Sequence, residues 1–187
     1  MKKTNLLVSL EAIMMAVLAL IIGLIPASIS ASYGISLGII PILVFAYRRG
    51  VGPAVLAGLM YGALKLLVGD ASILTPFQVI IEYFFAFAFI GLAGLGRQRV
   101  LKKAQAGQTG QLLAAVLLTS LLGVGLEYLV HFFAGVAFWG EFAPEGMNVW
   151  IFSLSANAIS GGLTWLAAAL VSFLLIKSSP NLIDPKR

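Results

Sequence analysis

Long apolar runs separated by short polar or glycine-containing breaks fill this chain, near residues 6–26, 35–48, 51–69, 76–96, 112–139 and 149–176. A helix that crosses a bilayer needs about 20 predominantly apolar residues, so the pattern predicts six spanning helices. The run beginning at Ile35 is short and carries Pro41, which removes a backbone donor and predicts a tilted or broken crossing. Barrel strands alternate apolar and polar positions, whereas LLAAVLLTSLLGVGL and FFAFAFIGLAGL are apolar on every side. The expected fold is therefore an all-α integral membrane protein, a six-helix bundle forming a single membrane domain over residues 1–187.

Composition agrees with this pattern. At 60% hydrophobic and 10% charged residues, with a mean hydropathy of +1.04, the chain has too little polar surface for water to solvate it whole. The basic residues then set the expected orientation. Lys2, Lys3, Arg48, Arg49, Arg97, Arg99, Lys102, Lys103, Lys177, Lys186 and Arg187 fall in the termini and alternate loops, which predicts both termini in the cytoplasm. The remaining loops hold Asp70, Glu141 and Glu145, so the net charge of +5 reports topology and does not point to nucleic acid. A basic inner rim also suits anionic lipid.

The start of the chain imitates a secretory signal, with MKK, an apolar stretch and ASISAS, but the run is long for a signal and contains Glu11. There is no cysteine, which excludes disulfides and thiolate metal sites. No P-loop string is present, and the longest non-apolar stretch, GRQRVLKKAQAGQTGQ, is only an inner loop. Energy for transport must therefore come from an ion gradient or a partner. The chain shows no internal repeat of the kind many secondary transporters carry.

Lys65, Glu82, Glu127, His131 and Asn157 interrupt the apolar runs. Counted inward at 1.5 Å per residue, they lie roughly 6 to 18 Å from the outer helix ends, in one half of the membrane. Only Glu11 belongs to the other half, which predicts an outward-facing pocket closed at its base in preference to a channel. Each residue also has a structural explanation. Lys65 has a stem long enough to snorkel, Glu127 sits four residues before His131 and suits a carboxylate that fixes an imidazole tautomer, and a buried Asn157 suits interhelical hydrogen bonding. The case for a site rests on the group.

Aromatic residues accompany the layer. Tyr61 precedes Lys65 by one turn, Tyr83 follows Glu82, Tyr128 follows Glu127, and Trp139 and Trp150 bracket the loop FWGEFAPEGMNVW. An interfacial aromatic belt accounts equally well for Trp150, whereas Trp139 lies two turns beyond His131, placed to fold over a ligand. Carboxylates among aromatic faces suit a flat cationic or nitrogen-rich heterocycle.

These residues resemble a family. The stretch Glu127–Gly162, with HFFAG from His131, FWG from Phe138, APEGM from Ala143 and the later Asn157, is similar to the thiamine-specific substrate-binding (S) component of energy-coupling factor (ECF) transporters. SLGIIPILVFAYRRG and IIEYFFAFAFIGLAG extend the resemblance over most of the chain. The resemblance implies a six-helix protein of the prokaryotic plasma membrane. It would capture thiamine or a close relative from outside and work with a transmembrane coupling protein and two cytoplasmic ATPases, performing no bond chemistry and holding no cofactor. Carried over by position, it makes Glu82 the ligand-facing carboxylate, places His131 and Trp139 around the rings, Asn157 as a hydrogen-bond partner and Tyr61 where the family can carry Trp, and sets Tyr83 at the flank.

The chain departs from the family pattern at Phe152, where a Tyr is usual, and at Tyr33, where a covering Trp is expected; Lys65 adds a cation near a site that accepts one. The resemblance also implies that loops 27–35 and 139–149 close over the ligand before the loaded bundle reorients. Ala12, Ala16, Ala19 and Gly23 repeat along one face of the first helix. Small residues allow close helix approach, and the resemblance makes this the face that docks on the coupling protein, with packing inside the bundle as the alternative.

Two rivals come from other classes. Glu82, Glu127 and His131 form an acceptable ligand set for a divalent metal, but the chain has one His and no His-Glu-x-x-His string. A proton-driven carrier would use Glu127 and His131 as a relay, but carboxylates are missing from the inner half apart from Glu11. No Gly-x-Ser-x-Gly elbow supports serine chemistry.

Overall fold

The computed structural model describes residues 3–27 and 33–184; Lys2, Lys186, Arg187 and residues 28–32 of the PASISASYGIS loop, the greater part of the expected 27–35 lid, lie outside them. Helices dominate: α1 (Lys3–Gly23), α2 (Ile39–Arg49), α3 (Val51–Leu67), α4 (Pro76–Gln105), α5 (Thr109–Phe138) and α6 (Val149–Ser178), with short 3₁₀ turns at Gly140–Phe142 and Pro180–Ile183. No β-strand occurs among the described residues. Four helices, α1, α4, α5 and α6, are long and apolar enough to cross a membrane, and α3 is a shorter apolar helix.

At eleven residues α2 is shorter still, about 16 Å at the usual rise. Its Ile39–Tyr47 segment is buried throughout, as expected of a helix that is apolar on every side. Pro41 does not break it. The residue lies in the first turn, after Gly38 at the N-cap, where the missing N–H would have had no intrahelical partner. The basic stretch after residue 96 is likewise not a loop, because Arg97–Gln105 continues α4 with Val100 and Ala104 buried. Strong helix formers carry the chain on to Gly107, whose φ of +65° stops it.

Outward faces carry Leu6, Leu10, Met14, Leu18 and Ile21 on α1, Leu118, Leu122 and Leu129 on α5, and Leu154, Leu166, Leu170 and Leu174 on α6. Such contiguous apolar exposure is stable only against lipid. The small-residue face of α1 points the other way. Ala12, Ala16 and Ala19 are fully buried where α1 packs on α2 and α3, and a side chain at Gly23 would meet the Tyr61 hydroxyl. This face therefore packs within the bundle, the alternative to a docking surface that its small residues also permit.

Helices α3 and α4 approach through glycines. An added Cβ at Gly58 would collide with the Phe87 carbonyl, and one at Gly62 with the Tyr83 carbonyl, a small-xxx-small contact of the kind used within membranes. At one end of the bundle, Glu11 on α1 receives Arg49 from α2 through Nε (2.5 Å) and Nη2 (2.7 Å), with Arg48 3.5 Å away. Arg97 donates to the Arg48 carbonyl (2.9 Å). Arg48 also donates to the carbonyls of Leu182 and Asp184 (both 3.0 Å). The isolated carboxylate of this half is thus an ion-pair anchor.

Gly62→Val is expected to destabilise the protein by about 1–3 kcal/mol, the usual range for overpacking, read as a lowered unfolding temperature in detergent. Gly110→Ala, where an added Cβ meets nothing, is the matched control and is expected to leave stability unchanged or slightly raised. Equal behaviour of the two variants would refute the close α3–α4 approach.

Candidate functional site

At the other end of the bundle from the Glu11 cluster, the helices surround a cavity of about 900 Å³. Its walls come from the end of α1 and the following segment (Gly23 to Ala27, Gly34 to Ser36), from Tyr61 and Lys65 on α3, Glu82 and Phe87 on α4, Glu127, Tyr128, His131 and Trp139 on α5, and Phe152, Ser153, Asn157 and Ser160 on α6. The wall after α1 is tied to α6, because the Gly34 N–H donates to Ser160 Oγ (3.3 Å) and the Ser36 N–H to Thr164 Oγ1 (3.0 Å).

Glu82 is the most constrained side chain of the site. Thr75 caps the start of α4 by accepting the Gln78 N–H (3.1 Å), which fixes the first turn and with it Gln78, a fully buried side chain. Gln78 Nε2 donates to Glu82 Oε2 and to the Ser72 carbonyl (3.2 Å), while its Oε1 accepts the Leu74 N–H (3.2 Å). Trp139, at the end of α5, donates its indole N–H to Glu82 Oε1 (2.8 Å). One carboxylate is thereby held from two helices, as a buried charge must be if it is to keep a defined position.

The backbone around Glu82 is a π-helical turn, Ile80–Phe85, a local widening often found at functional sites. It has a geometric consequence. In an α-helix, residues five apart lie about 140° from each other around the axis, yet Glu82 and Phe87 both line the cavity. Phe87 then joins the aromatic wall, with its ring 4.8 Å from Tyr61, 6.1 Å from His131 and 6.2 Å from Tyr83. His131 also lies 5.9 Å from Tyr128, and Trp139 lies 5.4 Å from Phe142.

The expected site residues divide. Glu82, His131, Trp139, Asn157, Tyr61, Glu127, Phe152 and Lys65 all line the cavity. Tyr83 and Tyr33 are not among the described residues that line it. The Tyr83 hydroxyl is engaged by Ser72, accepting its N–H (2.8 Å) and donating to its carbonyl (3.3 Å), so the side chain braces the segment before α4. Lys65 forms an ion pair with Asp70 (2.5 Å) and lies 5.7 Å from the Tyr61 ring centre, so the cation that seemed out of place is neutralised at the rim. Asn157 donates Nδ2 to the Ser153 carbonyl (2.9 Å) and to Ser153 Oγ (3.3 Å), and Ser153 Oγ donates to the Phe132 carbonyl (2.7 Å). Ser153 thus joins α6 to α5 with the Asn157 amide behind it, and Asn157 Oδ1 takes no part in these bonds.

Gln78, Phe87 and Phe142 were not anticipated. Gln78 sits four residues before Glu82, a spacing that shares a helix face, and that signal was available; nothing in the residue pattern announces the π turn that brings in Phe87. The ligand set considered for a metal does not assemble, since no three His, Cys, Asp or Glu side chains form a metal-holding group among the described residues.

Comparison with known proteins gives a consistent result. A family model described as thiamine transporter protein matches residues 9–184. Thiamine transporter ThiT of Lacticaseibacillus paracasei is 36% identical over 155 residues, covering 81% of this chain and 77% of the relative. Thiamine transporter ThiT of Bacillus subtilis is 34% identical over 149 residues, covering 80% and 78%. The solved structure of ThiT from Listeria monocytogenes superposes with a TM-score of 0.94 at 38% identity, covering 98% of this chain and all of that one.

Gln78→Leu is expected to cost about 1–3 kcal/mol in the ligand-free protein, because it leaves Glu82 Oε2 without its donor and the Leu74 N–H without its acceptor. Thermal unfolding in detergent checks this. An unchanged unfolding temperature would show that Gln78 does not hold Glu82.

Proposed function

The chain belongs to the thiamine transporter protein family, and from that premise we propose that it captures thiamine from outside the cell as the substrate-binding component of an ECF transporter. The observation that carries this reading is the cavity in which Glu82, fixed by Gln78 and Trp139, faces an aromatic wall of Tyr61, Phe87 and His131. Thiamine joins a permanently cationic thiazolium to an aminopyrimidine. A positioned carboxylate offsets the cation or accepts the amino hydrogens, and aromatic faces hold flat electron-poor rings by cation–π attraction. Asn157 Oδ1 supplies a further acceptor, and Phe152 closes the α6 side with a ring but no hydroxyl.

The helices cross six times in this reading, with both termini in the cytoplasm and residues 1–187 acting as one membrane domain. Supporting it, Glu11, Arg48, Arg49 and Arg97 gather at the helix ends remote from the cavity, and basic residues mark the cytoplasmic side. The short α2 is the least regular of the crossings, enclosed by the other helices.

Transport requires partners. No nucleotide-binding string exists in the chain, and the Glu11 carboxylate, which a proton path through the inner half would need, is held by two arginines. The family resemblance implies a transmembrane coupling protein with two cytoplasmic ATPases as the source of the work, with the loaded bundle reorienting as a body. The docking surface lies outside the Ala12, Ala16 and Ala19 face, which is buried.

Titrating purified protein with thiamine is expected to quench tryptophan fluorescence saturably, because Trp139 borders the cavity. Glu82→Gln is expected to weaken binding at least about tenfold, the loss of one charge-assisted hydrogen bond; equal affinity would exclude Glu82 as the ligand's carboxylate. In cells, deletion of the coupling module is expected to abolish thiamine uptake while binding persists. Uptake by this protein alone in sealed vesicles would overturn the partner requirement.

A further inference from the structure

We propose that the end of α4, Arg97–Gln105, is a docking surface for anionic phospholipid, with Arg99, Lys102 and Lys103 taking the headgroup phosphate. The inference goes beyond vitamin capture and does not depend on it. Helix α4 runs for 30 residues, about 45 Å at the usual rise, whereas the hydrocarbon core is about 30 Å thick. Its last turns therefore leave the apolar layer and stand at the level of the headgroups.

This end of the helix is two-sided. Val100 and Ala104 are buried against the bundle, and Arg97 turns the same way, donating Nε to the Arg48 carbonyl (2.9 Å). Arg99, Lys102 and Lys103 follow the i, i+3, i+4 spacing that shares a helix face, and Arg99 and Lys102 are exposed. Nothing in the protein neutralises that face. Among the described residues neither Arg99 nor Lys102 has an ion-pair or hydrogen-bond partner for its side chain, and Lys103 Nζ donates to the neutral Gln108 Oε1 (2.9 Å). No acidic residue stands between Glu82 and Glu127 in the sequence. The acidic residues of this end are Glu11, held by Arg48 and Arg49, and Asp184, whose carbonyl accepts from Arg48 (3.0 Å).

Topology alone asks for basic residues on the inner side of a membrane protein; it does not ask that they share one unpaired face of a helix seated on the bundle. Charge and depth together choose the occupant. An anionic phosphodiester at this level supplies the absent counter-charge, and its acyl chains lie beside the exposed leucines of the bundle. Basic clusters next to a spanning helix recognise anionic headgroups in this way, and the Arg99 guanidinium adds a planar fork that pairs two phosphate oxygens. A zwitterionic headgroup carries its own cation and gains little from the same face.

Native mass spectrometry of the purified protein, released from mixed micelles holding equal phosphatidylglycerol and phosphatidylcholine, tests the proposal. The wild type is expected to retain phosphatidylglycerol over phosphatidylcholine by at least about tenfold. The triple variant Arg99→Gln, Lys102→Gln, Lys103→Gln is expected to lose most of that preference. Between single variants of equal charge, Lys102→Gln is expected to lower it more than Lys177→Gln, which removes an exposed cation from the end of α6. Added inorganic phosphate is expected not to displace the lipid. A wild type that takes both lipids equally overturns the proposal and leaves the face to a soluble acidic partner. A folded triple variant with the wild-type preference, a Lys177→Gln protein that loses as much as Lys102→Gln, or displacement by free phosphate overturns it as well. Should the triple variant fail to fold, salt decides: the wild-type preference is expected to shrink as ionic strength rises, and a preference indifferent to salt contradicts a charge-held headgroup.

Discussion

Hydrocarbon supplies no hydrogen bonds, so every polar group carried into the bundle must find its partner within the protein or in a ligand. The structure is organised by how that requirement is met. Tyr47 bonds Thr119 Oγ1 (3.0 Å), Trp165 donates to the Leu117 carbonyl (3.1 Å), and Ser153 donates to the Phe132 carbonyl. These pairs lock helices together. At one end Glu11 is closed off by Arg48 and Arg49. At the other, Glu82, Glu127, His131 and Asn157 border a cavity.

That asymmetry links the fold to transport. A polar file from end to end would admit water and ions, whereas here the inner carboxylate is fixed in an ion pair and Glu82, Glu127, His131 and Asn157 gather around one cavity at the other end. A molecule held there cannot proceed along a pore. In the proposed reading, the bundle moves as a unit to deliver it, worked by an external motor. The packing suits such a motion, since α3 and α4 meet along glycines without intervening side chains and the exposed faces of α1, α5 and α6 are apolar.

Much of this was legible in the residues. Long apolar runs announce helices because lipid tolerates little else, and Glu82, His131, Trp139 and Asn157 stand out because hydrocarbon rejects them. Their convergence on one cavity follows from depth along neighbouring helices, which rise per residue measures. Other features depend on rotation about helix axes and on backbone detail that hydropathy does not encode. Ala12, Ala16 and Ala19 form a small-residue face equally suited to an external partner or an internal seam, and packing against α3 decided for the seam. Tyr83 adjoins Glu82 in sequence, yet the π turn sends its hydroxyl to Ser72 while admitting Phe87 to the cavity. Pro41 looked disruptive because its place within the first turn of α2 could not be read from the run.

The central claim is that a carboxylate fixed from two helices holds a nitrogen-ring vitamin inside the bundle. An experimental structure of the protein with thiamine bound tests it most directly. The account predicts the ligand within the cavity, with a donor or the cationic ring at about 2.7–3.2 Å from the Glu82 carboxylate and its rings against Phe87, His131 and Trp139. Thiamine bound on a lipid-facing surface, or in the cavity with Glu82 still turned wholly to Gln78 and Trp139, would contradict it.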